Sequence, residues 1–411
     1  MNRMLQIIYT VNNLSTGIML PVLTLVLLEK GANLQTLPLL MAVYSLTVLL
    51  FELPSGIVAD MFGRKTVFLM SCVFQLISFT LLLVSVKFLW LVSAIIFLGL
   101  GRAFSSGSLD AIIIDRALEN GGEDDLPKVT SRLSVLESVG LAAGSIAGGL
   151  AASVFGTFSS IIIIRLILTA IVTLLCLIFV RELARQHTAD KTAPVLSLTG
   201  MFRQGRQLIL DHRELGYILI GVFITGFFLF TVETYWQPAF KAIPNISGNT
   251  WLFGIVTFIG FFSVTAGNIL SRKLLIKLKN SWWIIFGISR VILAAVILIF
   301  AVISGAAGFI IFYACMYLML GTSGVPESSI VNKYTPSDMR ASMLSLNSLV
   351  SQVGGLFSSL FSSFMVIRLG FSGIWLIAGI LMACHSLFLA AVVIMPMAKS
   401  LISTLHSKRK T

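Results

Sequence analysis

Apolar residues in this chain come in long runs, separated by short stretches that carry Gly, Pro and charged side chains. About 20 helical residues, rising 1.5 Å each, cross a hydrocarbon core about 30 Å thick. The runs therefore predict helices near 4–28, 35–58, 66–86, 89–116, 132–155, 159–181, 214–237, 250–271, 282–303, 307–332, 341–367 and 373–396. They are too long and too continuous for the alternating strands of a barrel, whereas a helix satisfies its own backbone polar groups in lipid. The pattern is that of an all-α membrane protein with twelve transmembrane helices.

Composition excludes the main alternative. Of 411 residues, 57% are hydrophobic and 11% charged, against about 25% charged in soluble domains, so a water-soluble fold could not hide this much apolar surface. The net charge of +12 would suit a nucleic-acid partner, but its placement argues for a lipid bilayer. Twenty-two of the 29 Lys and Arg fall on one side of the expected helices, in clusters such as Arg64-Lys65, Arg272-Lys273 and Lys408-Arg409-Lys410. Only Lys30, Lys87, Lys241 and Arg368 fall on the other. By the positive-inside rule both termini are expected in the cytoplasm, in a multi-pass protein of the cell membrane. The first apolar run continues into Glu29-Lys30-Gly31 without a small-residue cleavage site and reads as a retained helix.

The longest polar interruption, 182–212, holds Pro194, His187, His212 and many basic residues. It reads as a cytoplasmic linker between a six-helix half at 1–181 and another at 213–396, with a tail at 397–411. Within it, Leu198 to Leu210 has the pattern of an amphipathic surface helix. The halves repeat one another: Ser106-Gly107-Ser108-Leu109-Asp110 recurs as Ser323-Gly324-Val325-Pro326-Glu327, and Asp115-Arg116 as Asn332-Lys333. Gly56 and Asp60 likewise match Gly267 and Ser271, each followed by a basic pair. Repetition of this kind marks transporters built around a midplane site.

Residues 56–65 read Gly-Ile-Val-Ala-Asp-Met-Phe-Gly-Arg-Lys. This stretch resembles the signature between helices 2 and 3 of the major facilitator superfamily, in the bacterial twelve-helix group that includes drug:proton antiporters. The helix layout extends the resemblance over essentially the whole chain. It implies two six-helix halves, each of inverted 3+3 repeats. Physically, Gly56 and Gly63 allow close helix approach and a tight turn, while Asp60 suits a helix amino end. The resemblance implies that Asp60 faces the start of helix 11 near Arg340, that Arg64 reaches Asp115, and that these residues with Lys65 form a cytoplasmic latch. Helix 5 carries Gly140, Gly144, Gly148 and Gly149, similar to the antiporter glycine motif but with Ser145 where a Pro is usual. These glycines, with Gly354 and Gly355 on helix 11, also suit close helix packing.

Ionisable side chains within spans are costly and therefore functional candidates. They are Glu52, Arg102, Asp110, Asp115, Glu137, Arg165, Glu233, Arg290, Glu327 and His385. The resemblance implies that helices 1, 4, 7 and 10 line the cavity, which selects Arg102, Asp110, Glu233 and Glu327 for proton coupling. Tyr235, Trp236 and Gln237 beside Glu233, and Asn12 and Asn13 on helix 1, are candidates for substrate contact. Arg165, Arg290 and His385 lie on outer helices, where packing or snorkelling is expected. Cys72, Cys176, Cys315 and Cys384 stand alone in apolar runs, and the sequence carries neither metal-ligand spacing nor a nucleotide-binding glycine loop. No cofactor, metal or enzymatic chemistry is expected. The expected function is proton-coupled export of lipophilic or cationic small molecules by a monomer, the alternative being proton-coupled transport of a small polar metabolite such as a sugar or amino acid, and a further alternative a membrane receptor or enzyme.

Overall fold

The computed structural model describes residues 3–85, 87–106, 108–121, 126–180, 206–244, 246, 248–278, 281–336 and 339–394. Among them there is no strand. The first expected helix is broken in two, α1 (Arg3–Met19) and α2 (Leu23–Glu29), bent by 49°. Pro21, which has no N–H to give, sits in the break. The next helix, α3 (Thr36–Phe62), starts where Asn33 Oδ1 accepts the N–H groups of Gln35 and Thr36, both at 2.9 Å. It ends at Gly63, whose φ of +89° few other residues would tolerate, and α4 (Arg64–Val84) follows at once.

The fourth expected span is also interrupted, into α5 (Phe88–Ser105) and α6 (Ser108–Gly121). Then come α7 (Leu126–Phe155), α8 (Phe158–Phe179), α9 (Arg213–Lys241), α10 (Trp251–Lys277), α11 (Trp282–Val302) and α12 (Ala306–Tyr334). The last two spans run together as α13 (Arg340–Leu389), split at Gly370 with φ +62° and prolonged by a π-turn at Ala390–Ile394. By length and apolarity nine described helices can each cross a membrane, ten with the bent α1–α2 pair. The remaining two expected spans correspond to the second length within α13 and to α3, whose apolar stretch is Thr36–Glu52. The amphipathic helix expected from Leu198 falls largely outside the described residues, as does the tail from 397.

Packing forms two units. The first comprises Met1–Asp190, Glu233–Ile259 and Ser359–Ile367; the second comprises Lys191–Val232, Gly260–Ser358 and Arg368–Thr411. In the first, glycines set the helix spacing. A Cβ on Gly140, Gly144 or Gly148 would lie 2.9, 2.2 or 2.1 Å from the carbonyl oxygens of Thr10, Leu14 and Ile18, so α7 and α1 touch backbone to backbone. Gly149 faces α10 instead, where a Cβ would come within 2.7 Å of Gly254 N. The second unit repeats the device between α9 and α13, with Gly354 against Phe223 O and Gly226 against Ser351 O, each at 2.2 Å, while Gly355 meets the Phe230 ring. At Gly56, by contrast, a Cβ would meet nothing within 4 Å, so the close approach expected there is not made by that residue.

Candidate functional site

In the second unit, four helices converge on one buried guanidinium. Arg290 of α11 is fully buried and pairs through Nη2 with Glu327 Oε2 of α12 at 2.9 Å. Its Nη1 donates to Thr225 Oγ1 of α9 and approaches Met382 Sδ of α13 at 3.4 Å, and the guanidinium lies 5.0 Å from the Phe286 ring centre. His385, also on α13, contacts Tyr217 O through Nε2 at 3.0 Å. Gly221 makes room for both, since a Cβ there would stand 2.6 Å from His385 Cε1 and 3.5 Å from Arg290 Nη2. Glu327 retains 18% side-chain exposure against 1% for Arg290, so the carboxylate is the reachable end of the pair. Of the packing or snorkelling expected for Arg290 and His385, both show inward packing, each turned to polar partners.

The first unit holds a second buried guanidinium with neutral partners. Arg165 of α8 is 4% exposed; it donates to Gln75 Oε1 of α4 at 2.6 Å and to Thr16 Oγ1 of α1 at 3.2 Å, over the Phe79 ring. Gln75 Nε2 donates to Ser71 Oγ, and Ser71 Oγ donates to Gly101 O, which extends the network to α5. Arg165 too is turned inward rather than outward.

The two networks share an anchor. Thr16-Gly17 and Thr225-Gly226 occupy equivalent places on the first helix of each half: each Thr hydroxyl accepts from a buried Arg, and each Gly abuts a neighbouring backbone. The cation comes from the sixth helix in one half and from the third in the other. Sequence reading missed this pair, although the Thr-Gly repeat and the lone Gln75 in an apolar run were available signals.

A separate acidic group lies in the first unit. The Tyr9 hydroxyl of α1 interacts with Asp110 of α6 and with Asn13, while Glu137 of α7 lies within electrostatic reach of Asp110 and Arg102. Tyr9 is buried, Asp110 and Asn13 are half-buried, and Arg102 and Glu137 are exposed. Two carboxylates thus gather around one guanidinium. Glu137, an ionisable candidate outside the set selected for the cavity, joins the cavity candidates Asp110, Arg102 and Asn13. The Asn12 carbonyl accepts the Thr16 hydroxyl at 3.0 Å.

Tyr235, Trp236 and Gln237 are almost completely buried. Tyr235 donates to Leu34 O at 3.1 Å, and Trp236 packs 6.0 Å from Phe253. Gln237 bridges the α1–α2 break: its Oε1 accepts from Thr24 and its Nε2 donates to Leu20 O. Glu233 is the exposed residue of this stretch. Of the signature residues, Lys65 donates to Leu177 O at 3.2 Å and Arg64 is half-buried, while the side chains of Asp60 and Asp115 lie outside the described residues. Among the described residues, no group of three His, Cys, Asp or Glu could hold a metal ion.

Membrane-length helices in two halves, each burying a guanidinium at equivalent threonines, define a polytopic transporter. The family model described as Major Facilitator Superfamily matches residues 5–328, and the chain belongs to that superfamily. It is 21% identical over 371 residues to the uncharacterized MFS-type transporter YxaM of Bacillus subtilis (strain 168), covering 89% of this chain and 90% of that protein. Crystal structures of the nucleoside transporter NupG share the fold with a TM-score of 0.79 at 15% identity, over 95% of this chain and 99% of NupG. A POT family transporter, solved with a thioalcohol-conjugated peptide and with 5-aminolevulinic acid, gives 0.71 at 13% identity over 94% and 95%.

Proposed function

We propose that this protein is a proton-coupled secondary transporter of the cell membrane, monomeric and with both termini cytoplasmic, that exports lipophilic or cationic small molecules by alternating access. The observation that carries the coupling half of this reading is the Arg290–Glu327 pair. A proton arriving at the exposed edge of Glu327 removes the charge that holds Arg290, leaving the guanidinium with Thr225 and Met382. Loss of that proton restores the pair. A buried ion pair whose one member can be neutralised is a bistable element that a proton gradient can bias.

The cationic half of the reading rests on Tyr9, Asp110 and Glu137. Two carboxylates against the single positive charge of Arg102 leave this group net negative, and the phenol ring offers a flat apolar face to a cation. In this reading Glu233 is a further proton-carrying candidate. Gly56, Asp60, Gly63, Arg64, Lys65 and Asp115 form the latch that closes the cytoplasmic side.

A second reading, transport of a small polar metabolite such as a sugar or amino acid, is favoured by the Arg165–Gln75–Thr16 network. It also accords with the nucleoside and peptide named for the two structural neighbours. The experiment that separates them uses inside-out vesicles carrying the protein, with an imposed pH gradient and either fluorescent lipophilic cations or radiolabelled nucleosides, sugars and amino acids. Cation accumulation that collapses with an ionophore supports the first reading, whereas accumulation of a polar metabolite alone replaces it with the second.

A further inference from the structure

Two polar side chains from different helices rest on the bare backbone at Gly221 of α9. A Cβ there would lie 2.6 Å from His385 Cε1 and 3.5 Å from Arg290 Nη2, the nitrogen that pairs with Glu327. Arg290 is within electrostatic reach of the imidazole. Met382 and His385 are three residues apart on α13 and share a helix face, and Met382 Sδ already approaches Arg290 Nη1 at 3.4 Å. The titratable groups that meet at this point are thus Arg290 of α11, Glu327 of α12 and His385 of α13, while α9 presents the Thr225 hydroxyl and the Tyr217 carbonyl.

Arginine and histidine are each left one hydrogen bond short. A carbonyl only accepts, so His385 Nε2 donates to Tyr217 O, and Nδ1 is then the acceptor of the neutral ring. That nitrogen is buried and has no hydrogen-bond partner among the described residues, and the same holds for the buried Nε of Arg290. A buried donor or acceptor left unmade is costly. Here the unmet donor and the unmet acceptor belong to side chains that flank the same glycine. While Glu327 is ionised, its carboxylate is the stronger acceptor and holds the guanidinium. Neutralising Glu327 removes that advantage and leaves Nδ1 as the unfilled acceptor beside Arg290.

We propose that His385 is the alternative acceptor for Arg290, a positioning residue that receives a guanidinium N–H at Nδ1 when Glu327 takes up a proton. The proposal rests on the proton-coupled reading of the Arg290–Glu327 pair. Its one covalent change is the O–H bond that a proton from the solvent forms on Glu327. Arg290 keeps all of its protons, and His385 keeps the one on Nε2. The hydrogen bond that moves shifts the hold of the guanidinium from α12 to α13. Arg290 then ties α11 to α9 and α13 through Thr225, Met382 and His385, and α12 is released from it.

Full-length protein labelled with ¹⁵N-histidine, in lipid, is compared by solid-state NMR with Glu327→Gln, which carries a neutral group, and with Glu327→Met, which carries no acceptor. His385→Asn assigns the His385 signals among the four histidines. The Nδ1 signal moves upfield in both Glu327 variants, as an unprotonated ring nitrogen does on accepting a hydrogen bond; an unchanged signal in both would overturn the proposal. In inside-out vesicles under a pH gradient, His385→Phe lowers accumulation of a fluorescent lipophilic cation about tenfold, the effect of losing one hydrogen bond to a charged group. His385→Asn, whose amide oxygen takes the place of Nδ1, restores most of it, and equal loss in the two variants would reduce His385 to a packing residue. Wild type that accumulates no cation under the gradient defeats the coupling reading alone, since the Nδ1 signal still decides the contact.

Discussion

Gln237 closes the break in the first helix at Thr24. Its Oε1 accepts the Thr24 backbone N–H at 3.0 Å and the Thr24 hydroxyl at 2.6 Å, while its Nε2 donates to Leu20 O at 2.7 Å. A helix interrupted at Pro21 leaves backbone groups unpaired on both sides of the break, and in an apolar interior each unpaired group is costly. One amide side chain from α9 satisfies a donor on one side and an acceptor on the other.

Replacing that amide exposes the cost. Gln237→Leu strands the Thr24 N–H and the Leu20 carbonyl and is expected to destabilise by about 1–3 kcal/mol for each. Thr24→Val removes only the hydroxyl contact and costs about 0.5–1.5 kcal/mol. Thermal unfolding in detergent ranks wild type above Thr24→Val above Gln237→Leu. The reverse order of the two variants would mean that the amide does not hold the break.

Arg290→Met leaves Glu327 as a buried carboxylate without its partner and lowers stability by about 3–5 kcal/mol. Glu327→Gln, which keeps an acceptor for Arg290 at nearly the same volume, costs less. The double variant Arg290→Met, Glu327→Met recovers much of the stability without recovering gradient-driven transport. Unfolding midpoints and vesicle uptake, measured on the same preparations, check both statements.

Gly144 and Gly56 predict opposite outcomes for adding a methyl group or more. Gly144→Val forces a Cβ into the Leu14 carbonyl, 2.2 Å away, and must separate α1 from α7, so a loss of more than about 4 kcal/mol and little folded protein are expected. Gly56→Ala enters open space within α3 and gains about 1 kcal/mol of helix propensity. Yield and unfolding midpoint, read by size-exclusion chromatography and thermal denaturation, distinguish the two.

If the acidic group around Tyr9 recognises cations, neutralising it alters charge preference before it alters stability. Asp110→Asn combined with Glu137→Gln is expected to weaken transport of lipophilic cations at least about tenfold, because the group loses both negative charges and keeps the positive charge of Arg102. Neutral analogues of the same size should be affected less. Equal loss for both would remove the electrostatic role.

Much of the fold was legible because lipid imposes it. Apolar run length located the described helices to within several residues, apart from where Pro21 breaks the first helix and where the Ser106–Ser108 interruption divides the fourth. Glycine spacing on helix 5 was likewise readable, since Gly140, Gly144 and Gly148 recur at one helical face and that face meets α1. The burial of Arg165 and Arg290 was not legible. A single charge in an apolar run does not reveal whether it points to lipid or inward, and the partners Gln75, Thr225 and Glu327 come from other helices. The same limit hid Gln237, whose partners lie more than 200 positions away in sequence.

The central claim is that protonation of Glu327 couples transport to the proton gradient, and one comparison tests it most directly. Inside-out vesicles carrying either wild type or Glu327→Gln are loaded with fluorescent lipophilic cations under an imposed pH gradient, which an ionophore then collapses. The account predicts accumulation by wild type that vanishes with the gradient, and no gradient-dependent accumulation by Glu327→Gln despite normal folding. Full gradient-driven accumulation by Glu327→Gln would contradict it.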